Sequence, residues 1–453
     1  MMSLEEWEVT VSLAEPKRRL FLLGFLSLAL AAGCGDSPTS TGTPSDTTGG
    51  SPSEIPDPWL TANGHPLSSL TSDDFSDLQF LKEVVGDRRI VQLGESGHGV
   101  AEFNEAKVRL IRFFHEEMDF HVIAFESDLF ACHHTDRTAD GLTADDLMRG
   151  CIYGVWHTSE VLPLFSYIKE TKETDDPLIL AGFDMKPSSH RSRGYRAPFM
   201  QGVVAKVDSV YAEDVRALED ELNRLFDDDW RVLVAARAEE LRARYQTLHD
   251  FLLEHEEALL AAYPDDPGTP LVAQQTALYT VRMVDFAVAS QTTGCAVTHS
   301  RDFSMAENAT FLAERIFPGR KILIWAHNYH IRHNNQAVSV DDCVTMGGHI
   351  LSRHRPELYT VGLYMYRGHA AMNNGVVYKI YPPTDNSLEG HLHQAGEPYF
   401  FLDLLHLNPA TAPGWIFEET SVRSWGIYWI NFVPREQYDG LLYIEEVRPP
   451  DYI

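Results

Sequence analysis

The chain has 453 residues, 44% of them hydrophobic and 23% charged, with a formal net charge of −29. That length and composition allow a large core, built as one big domain with an elaboration. The charge excludes nucleic acid as a partner, since phosphate contacts need a basic surface, and it weakens attraction to anionic lipid headgroups.

Residues 1–33 read as a targeting segment. Lys17-Arg18-Arg19 precede an apolar run from Leu20 to Leu30, too short to span a bilayer and the right length for a signal-peptide core. Ala31-Ala32-Gly33 then lead to Cys34, an order that resembles a bacterial lipoprotein signal. The resemblance implies lipidation at Cys34 and an exported protein, held by its lipid at the periplasmic or cell-surface face of a bacterial membrane. Ala31 departs from the pattern, because leucine is commoner three residues before the cysteine. Residues 34–58 are rich in Ser, Thr, Gly, Pro and Asp, so they form a flexible tether.

Further on, apolar strands alternate with amphipathic helices. Arg89 to Leu93 is a buried strand that runs into Gly94-Glu95-Ser96-Gly97-His98-Gly99, a glycine-rich turn with a carboxylate and an imidazole three residues apart. Glu102 to Met118 is helical, with Val108, Ile111, Phe114 and Met118 on one face, and it carries Lys107. Val122 to Phe125 is a strand ending in Glu126, and a helix follows over Glu160 to Lys169. Leu178 to Phe183 is a strand that delivers Asp184, and Ile322 to Trp325 is one that delivers His327 and His330. Between them, residues 199–295 are charged and heptad-like, and read as a helical insertion. Tyr359 to Tyr364 and Gly440 to Ile444 return to strand. The pattern predicts an α/β fold: a mostly parallel central sheet flanked by helices, with the insertion over its carboxyl edge.

Three strands that deliver Glu or His at the same end imply a site, because open α/β sheets build sites at their carboxyl edge. Ester hydrolysis needs an activated water, a stabilised oxyanion and a proton for the leaving alkoxide. His98 has the chemistry of the base, with Glu95 or Glu126 fixing its tautomer. His327 and His330 could protonate the leaving oxygen or stabilise the oxyanion. Lys107 could add positive charge beside the carboxylates. The same five acids and histidines also form a plausible zinc-ligand set, although a Glu-x-x-His pair in a glycine turn lacks the helical setting of the zinc-protease motif. No Gly-x-Ser-x-Gly elbow follows a strand, which argues against a serine nucleophile. A silent binding protein using the same cleft is the remaining alternative.

The chain resembles the erythromycin esterase family of hydrolases. The resemblance rests on Gly94-Glu95-x-x-His98-Gly99, Glu102-Phe103, Lys107, Phe125-Glu126, Trp156-x-Thr158-x-Glu160 and Gly182-Phe183-Asp184. It continues through Arg301-Asp302-x-x-Met305-Ala306-x-Asn308, Trp325-Ala326-His327-Asn328-x-His330, Met346-Gly347 and Tyr438-Asp439. It implies one hydrolase domain over 59–453, a general base at His98, and no metal or cofactor. Its substrate would be a small-molecule ester or lactone, macrolides included, with Trp156, Glu160 and Asp184 lining the pocket beside Lys107. The departure is Lys107, where better-known members carry arginine.

Beyond Cys34 there are four cysteines, which allow three pairings. Cys132–Cys151 and Cys295–Cys343 are favoured, because the first pair closes a short loop and the second brackets one site strand.

Overall fold

The computed structural model describes residues 56–453, apart from 227–228, 293 and 339–342. The signal segment 1–33, Cys34 and the tether as far as residue 55 lie outside the described residues. Near the start of the described residues, Asp57 accepts hydrogen bonds from Trp59 and Leu60 to cap the helix Pro58–Asn63.

In chain order the strands are β1 (His65–Pro66), β2 (Ile90–Leu93), β3 (Phe120–Asp128), β4 (Ile179–Asp184), β5 (Lys321–Trp325), β6 (Leu358–Ala371), β7 (Val377–Ile380), β8 (Tyr399–Asp403), β9 (Thr420–Ser424), β10 (Tyr428–Phe432) and β11 (Gly440–Val447). One 9-stranded sheet runs in the order β1-β8-β11-β6-β2-β5-β3-β4, with β7 on β6, and β9–β10 form a separate hairpin. The five pairings from β11 through β6, β2, β5 and β3 to β4 are parallel, whereas β1, β7 and β8 pair antiparallel. The fold is thus α/β with a mostly parallel sheet.

Register explains where the chemistry collects. Leu93 and Phe125 both face Trp325 across their ladders, and Phe125 faces Gly182. The residues that follow these four therefore gather at the sheet's carboxyl edge. Along each central strand, successive side chains enter opposite layers of core: Val91, Leu93, Ile123, Phe125, Leu323 and Trp325 on one face, and Ile90, Val122, Ala124, Ile322 and Ile324 on the other. Both faces are covered, which is why these strands read as near-continuous apolar runs, interrupted in β2 by the buried Gln92.

Six helices matter to the edge: α1 (Ala101–Met118), α2 (Gly268–Ala289), α3 (Cys295–Phe311), α4 (Asn328–Ile331), α5 (Met346–His354) and α6 (Leu388–His393). Helix α1 stops at Asp119, whose left-handed backbone (φ 59°) sends its N–H back to Phe114. From His190 to Phe311 the regular elements are all helices, a longer stretch than 199–295. Tyr279 of α2 donates to Asp128 at the end of β3, and Asn308 of α3 donates to the Phe183 carbonyl at the end of β4. Disulfides join Cys132 to Cys151 and Cys295 to Cys343, the favoured pairing. No described helix is long and apolar enough to cross a membrane.

Candidate functional site

The turn after β2 needs its glycines for close approach. A Cβ on Gly94 would lie 2.0 Å from Asn328 Oδ1, and one on Gly99 would lie 2.0 Å from the Ala371 carbonyl oxygen. The chain packed this tightly presents Glu95 and His98 inward, with Glu95 fully buried and His98 6% exposed.

Glu95 is the hub. Its Oε1 accepts from the Trp156 indole N–H at 2.9 Å and faces His98 Nδ1 at 2.5 Å, while Oε2 pairs with Lys107. The Lys107 ammonium also lies 3.8 Å from the centroid of the Trp325 ring. Burial pushes Lys107 down to about 8 despite the pull of Glu95 and Glu126. With Nδ1 directed at Glu95, the tautomer of His98 places its free ring nitrogen, Nε2, on the other side. No partner of that nitrogen is found among the described residues.

A second network stands beside the first. Glu126 Oε1 pairs with Arg301 at 2.9 Å and with His330 at 3.3 Å, and its Oε2 accepts the His327 backbone N–H at 3.0 Å. Arg301 also holds Asp184 at 2.8 Å, and Asp302 takes His330 Nδ1 at 2.8 Å together with the Met346 N–H. Burial works to raise the Glu126 carboxyl, but His330, Arg301 and His98 hold it well below the usual range. Burial likewise works against a charged His330, yet Asp302 and Glu126 lift it to about 10. It is therefore an imidazolium at neutral pH.

His327 is its opposite. Burial, with His98 and His330 nearby, keeps it well below the ordinary histidine value, so it is neutral. Its Nδ1 accepts the Tyr329 N–H at the start of α4, which places the proton on Nε2. That Nε2 is buried with no hydrogen-bond partner among the described residues. The His327 and His98 rings lie 5.0 Å apart. The site thus holds an imidazole with a free nitrogen beside a neutral N–H donor with nothing to donate to.

Among the predicted residues, Glu95, His98, Lys107 and Trp156 form the first network, and Glu126, Asp184 and His330 the second, with His327 between them. Asp184 serves as a partner of Arg301. Glu160 takes Arg448 at 2.7 Å and the Asp451 N–H, tying the C-terminal strap to the chain before its helix. Sequence reasoning assigned no role to Arg301, Asp302 or Asn328, although all three stand in the ordered motifs. Asn328 holds β6 by exchanging hydrogen bonds with Leu363. Trp425 was missed altogether; its ring lies 5.5 Å from His98 and 5.6 Å from His327. Among the described residues, no three His, Cys, Asp or Glu side chains are arranged to hold a metal ion.

A family model for erythromycin esterase matches residues 115–447. The chain belongs to the erythromycin esterase family. The matched span carries Glu126, Asp184, Arg301, His327 and His330, while Glu95, His98 and Lys107 precede it. YbfO of Bacillus subtilis, a presumed hydrolase by name, is 31% identical over 411 residues, covering 87% of this chain and 91% of YbfO. A Bacillus cereus protein of known crystal structure superposes with a TM-score of 0.75 at 20% identity, over 87% of this chain and 98% of its own. An erythromycin esterase mutant in its open conformation gives 0.65 at 19% identity, over 85% and 98%. Both solved structures share this fold.

Proposed function

We propose that the protein is a hydrolase that cleaves a carboxylic ester or lactone of a small molecule, with His98 activating water. His98 Nε2 takes a proton from water as the hydroxide adds to the carbonyl carbon. Glu95 fixes the ring and stabilises the imidazolium, in the manner of a catalytic-triad carboxylate. The His327 Nε2–H donates to the oxyanion that develops, and the proton on His98 then passes to the departing alkoxide. His330 is charged before any substrate arrives, so its role is to anchor Glu126, which in turn holds the His327 backbone. The observation that carries this reading is the unpartnered His327 N–H beside a His98 whose other nitrogen is pinned by Glu95.

The test is hydrolysis of a panel of simple esters and macrolactones by the protein and by His98→Ala, with and without chelator. The proposal expects activity that survives chelator and falls by roughly 10²- to 10⁴-fold in His98→Ala. Loss with chelator and recovery with zinc would favour a metal-dependent hydrolase. No turnover by either form would favour a binding protein. We also propose export and lipid attachment at Cys34; incorporation of labelled fatty acid that Cys34→Ser fails to abolish would end that proposal.

A further inference from the structure

Access to the site is narrow: His98 and His327 each expose only 6% of their surface. What stands over them is Trp425, which rests on His327 at an interplanar angle of 30° and meets His98 edge-on at 88°. The residue is half-buried.

Trp425 sits at the tip of the β9–β10 hairpin, outside the main sheet. Its backbone is left-handed, φ 56°, next to Gly426 at 69°. That conformation is disfavoured for a non-glycine residue, and such strain persists where the surroundings impose it. Here both neighbours are visible: the Trp425 N–H donates to the Ser96 carbonyl at 2.7 Å, and its own carbonyl accepts from the Tyr378 hydroxyl at 2.8 Å. The stem is held from below, where Arg423 reaches the Tyr366 carbonyl at 3.0 Å and its N–H meets Glu389 of α6 at 2.9 Å. A Cβ on Gly97 would come within 3.2 Å of the indole, so the catalytic turn is shaped to accept it.

We propose that Trp425 is a gate and a specificity-determining residue: its indole occupies the volume over the His98–His327 pair, and an ester reaches His98 only by displacing the hairpin tip. The proposal rests on the hydrolase reading for its substrate. Its geometric core, shielding of the imidazoles, stands without it. Small esters need little displacement, whereas bulky ones need the tip to lift fully. The indole therefore discriminates against bulk.

The first test needs no substrate. The full-length protein is treated with diethylpyrocarbonate, which acylates accessible neutral imidazoles, and modification is counted residue by residue by mass spectrometry. Trp425→Gly keeps the turn, since glycine adopts the left-handed backbone freely. Trp425→Phe keeps most of the packing. Modification of His98 and His327 should rise about tenfold in Trp425→Gly and less in Trp425→Phe, as expected for removal of a local barrier. His330, sequestered by Asp302 and Glu126, should not change. Equal rates at His98 in all three proteins, with circular dichroism unchanged, would overturn the gate. In the activity arm, Trp425→Gly should raise kcat/KM for bulky esters over small ones by about tenfold. An unchanged ratio with a faster His98 modification would overturn specificity while leaving the shield. Absence of all ester turnover would count against the hydrolase reading only.

Discussion

Lys107 offers the sharpest test of the electrostatics. Its ammonium is fully buried, pairs with Glu95, and is held at about 8 by burial. Above that pH the proton leaves, and the positive charge that balances Glu95 disappears just as an oxyanion must be stabilised. A unit charge acting over about 7 Å in a medium of effective dielectric about 20 is by Coulomb's law worth about 2 kcal/mol, or roughly thirtyfold in rate. Ester hydrolysis should therefore decline on the alkaline side with a midpoint near pH 8. Arginine cannot deprotonate in this range, so Lys107→Arg should remove the decline while paying some overpacking in a tight site. Lys107→Met should be slower by the same factor below about pH 8, converge on the parent above it, and lose about 3 kcal/mol of stability, because it strands a buried carboxylate. The assay is kcat/KM from pH 6 to 10 on one ester, with ionic strength fixed. An alkaline limb of unchanged position in Lys107→Arg would refute the reasoning.

Four further predictions follow from the same geometry. His330 is raised from 6.5 to about 10, so its stabilisation is complete below about pH 6.5 and is lost as pH rises through 10; melting curves should show this decline flattened in His330→Gln. Gly99→Ala would drive a Cβ to 2.0 Å from the Ala371 carbonyl oxygen, and should cost about 3 kcal/mol in denaturant titration and abolish turnover. Glu160→Gln should loosen the C-terminal strap by about 1 kcal/mol yet leave kcat/KM within about twofold, because its partners are Arg448 and Asp451; a selective rise in KM would restore it to the pocket. The disulfides span 19 and 48 residues, and removal of each by serine replacement should cost about 3 and 4 kcal/mol respectively.

The sheet was legible because its strands are buried on both faces. Ile90 to Leu93, the centre of β3 and Ile322 to Trp325 are short, mostly apolar runs with a functional residue one or two positions after each, and register alone brings those residues to one edge. Helix α1 was legible from its periodic face. The partners were harder. Arg301 and Asp302 lie in the middle of a helix, and nothing in their spacing says that one reaches Glu126 and the other His330 across more than a hundred residues or a different element. Glu160 shows the reverse: an acid two residues after Thr158 in a family motif reads as a pocket residue, and nothing in the sequence announces that its bonds run to a strap almost three hundred residues away. Trp425 gave no signal, since an aromatic residue before a glycine is an ordinary turn until its backbone sign and neighbours are known.

The order of the sheet has a consequence for biosynthesis. β5 is inserted between β2 and β3, yet about two hundred residues of chain separate it from β3. Until the ribosome has delivered that strand, β2 and β3 have no ladder between them, and His98 has neither His327 nor a closed edge beside it. β6 and the β9–β10 hairpin come later still. Such non-local pairing closes slowly and leaves apolar strand edges open meanwhile. An unfinished chain is therefore without activity and prone to stick, and its hydrolytic power arrives only when synthesis is nearly over.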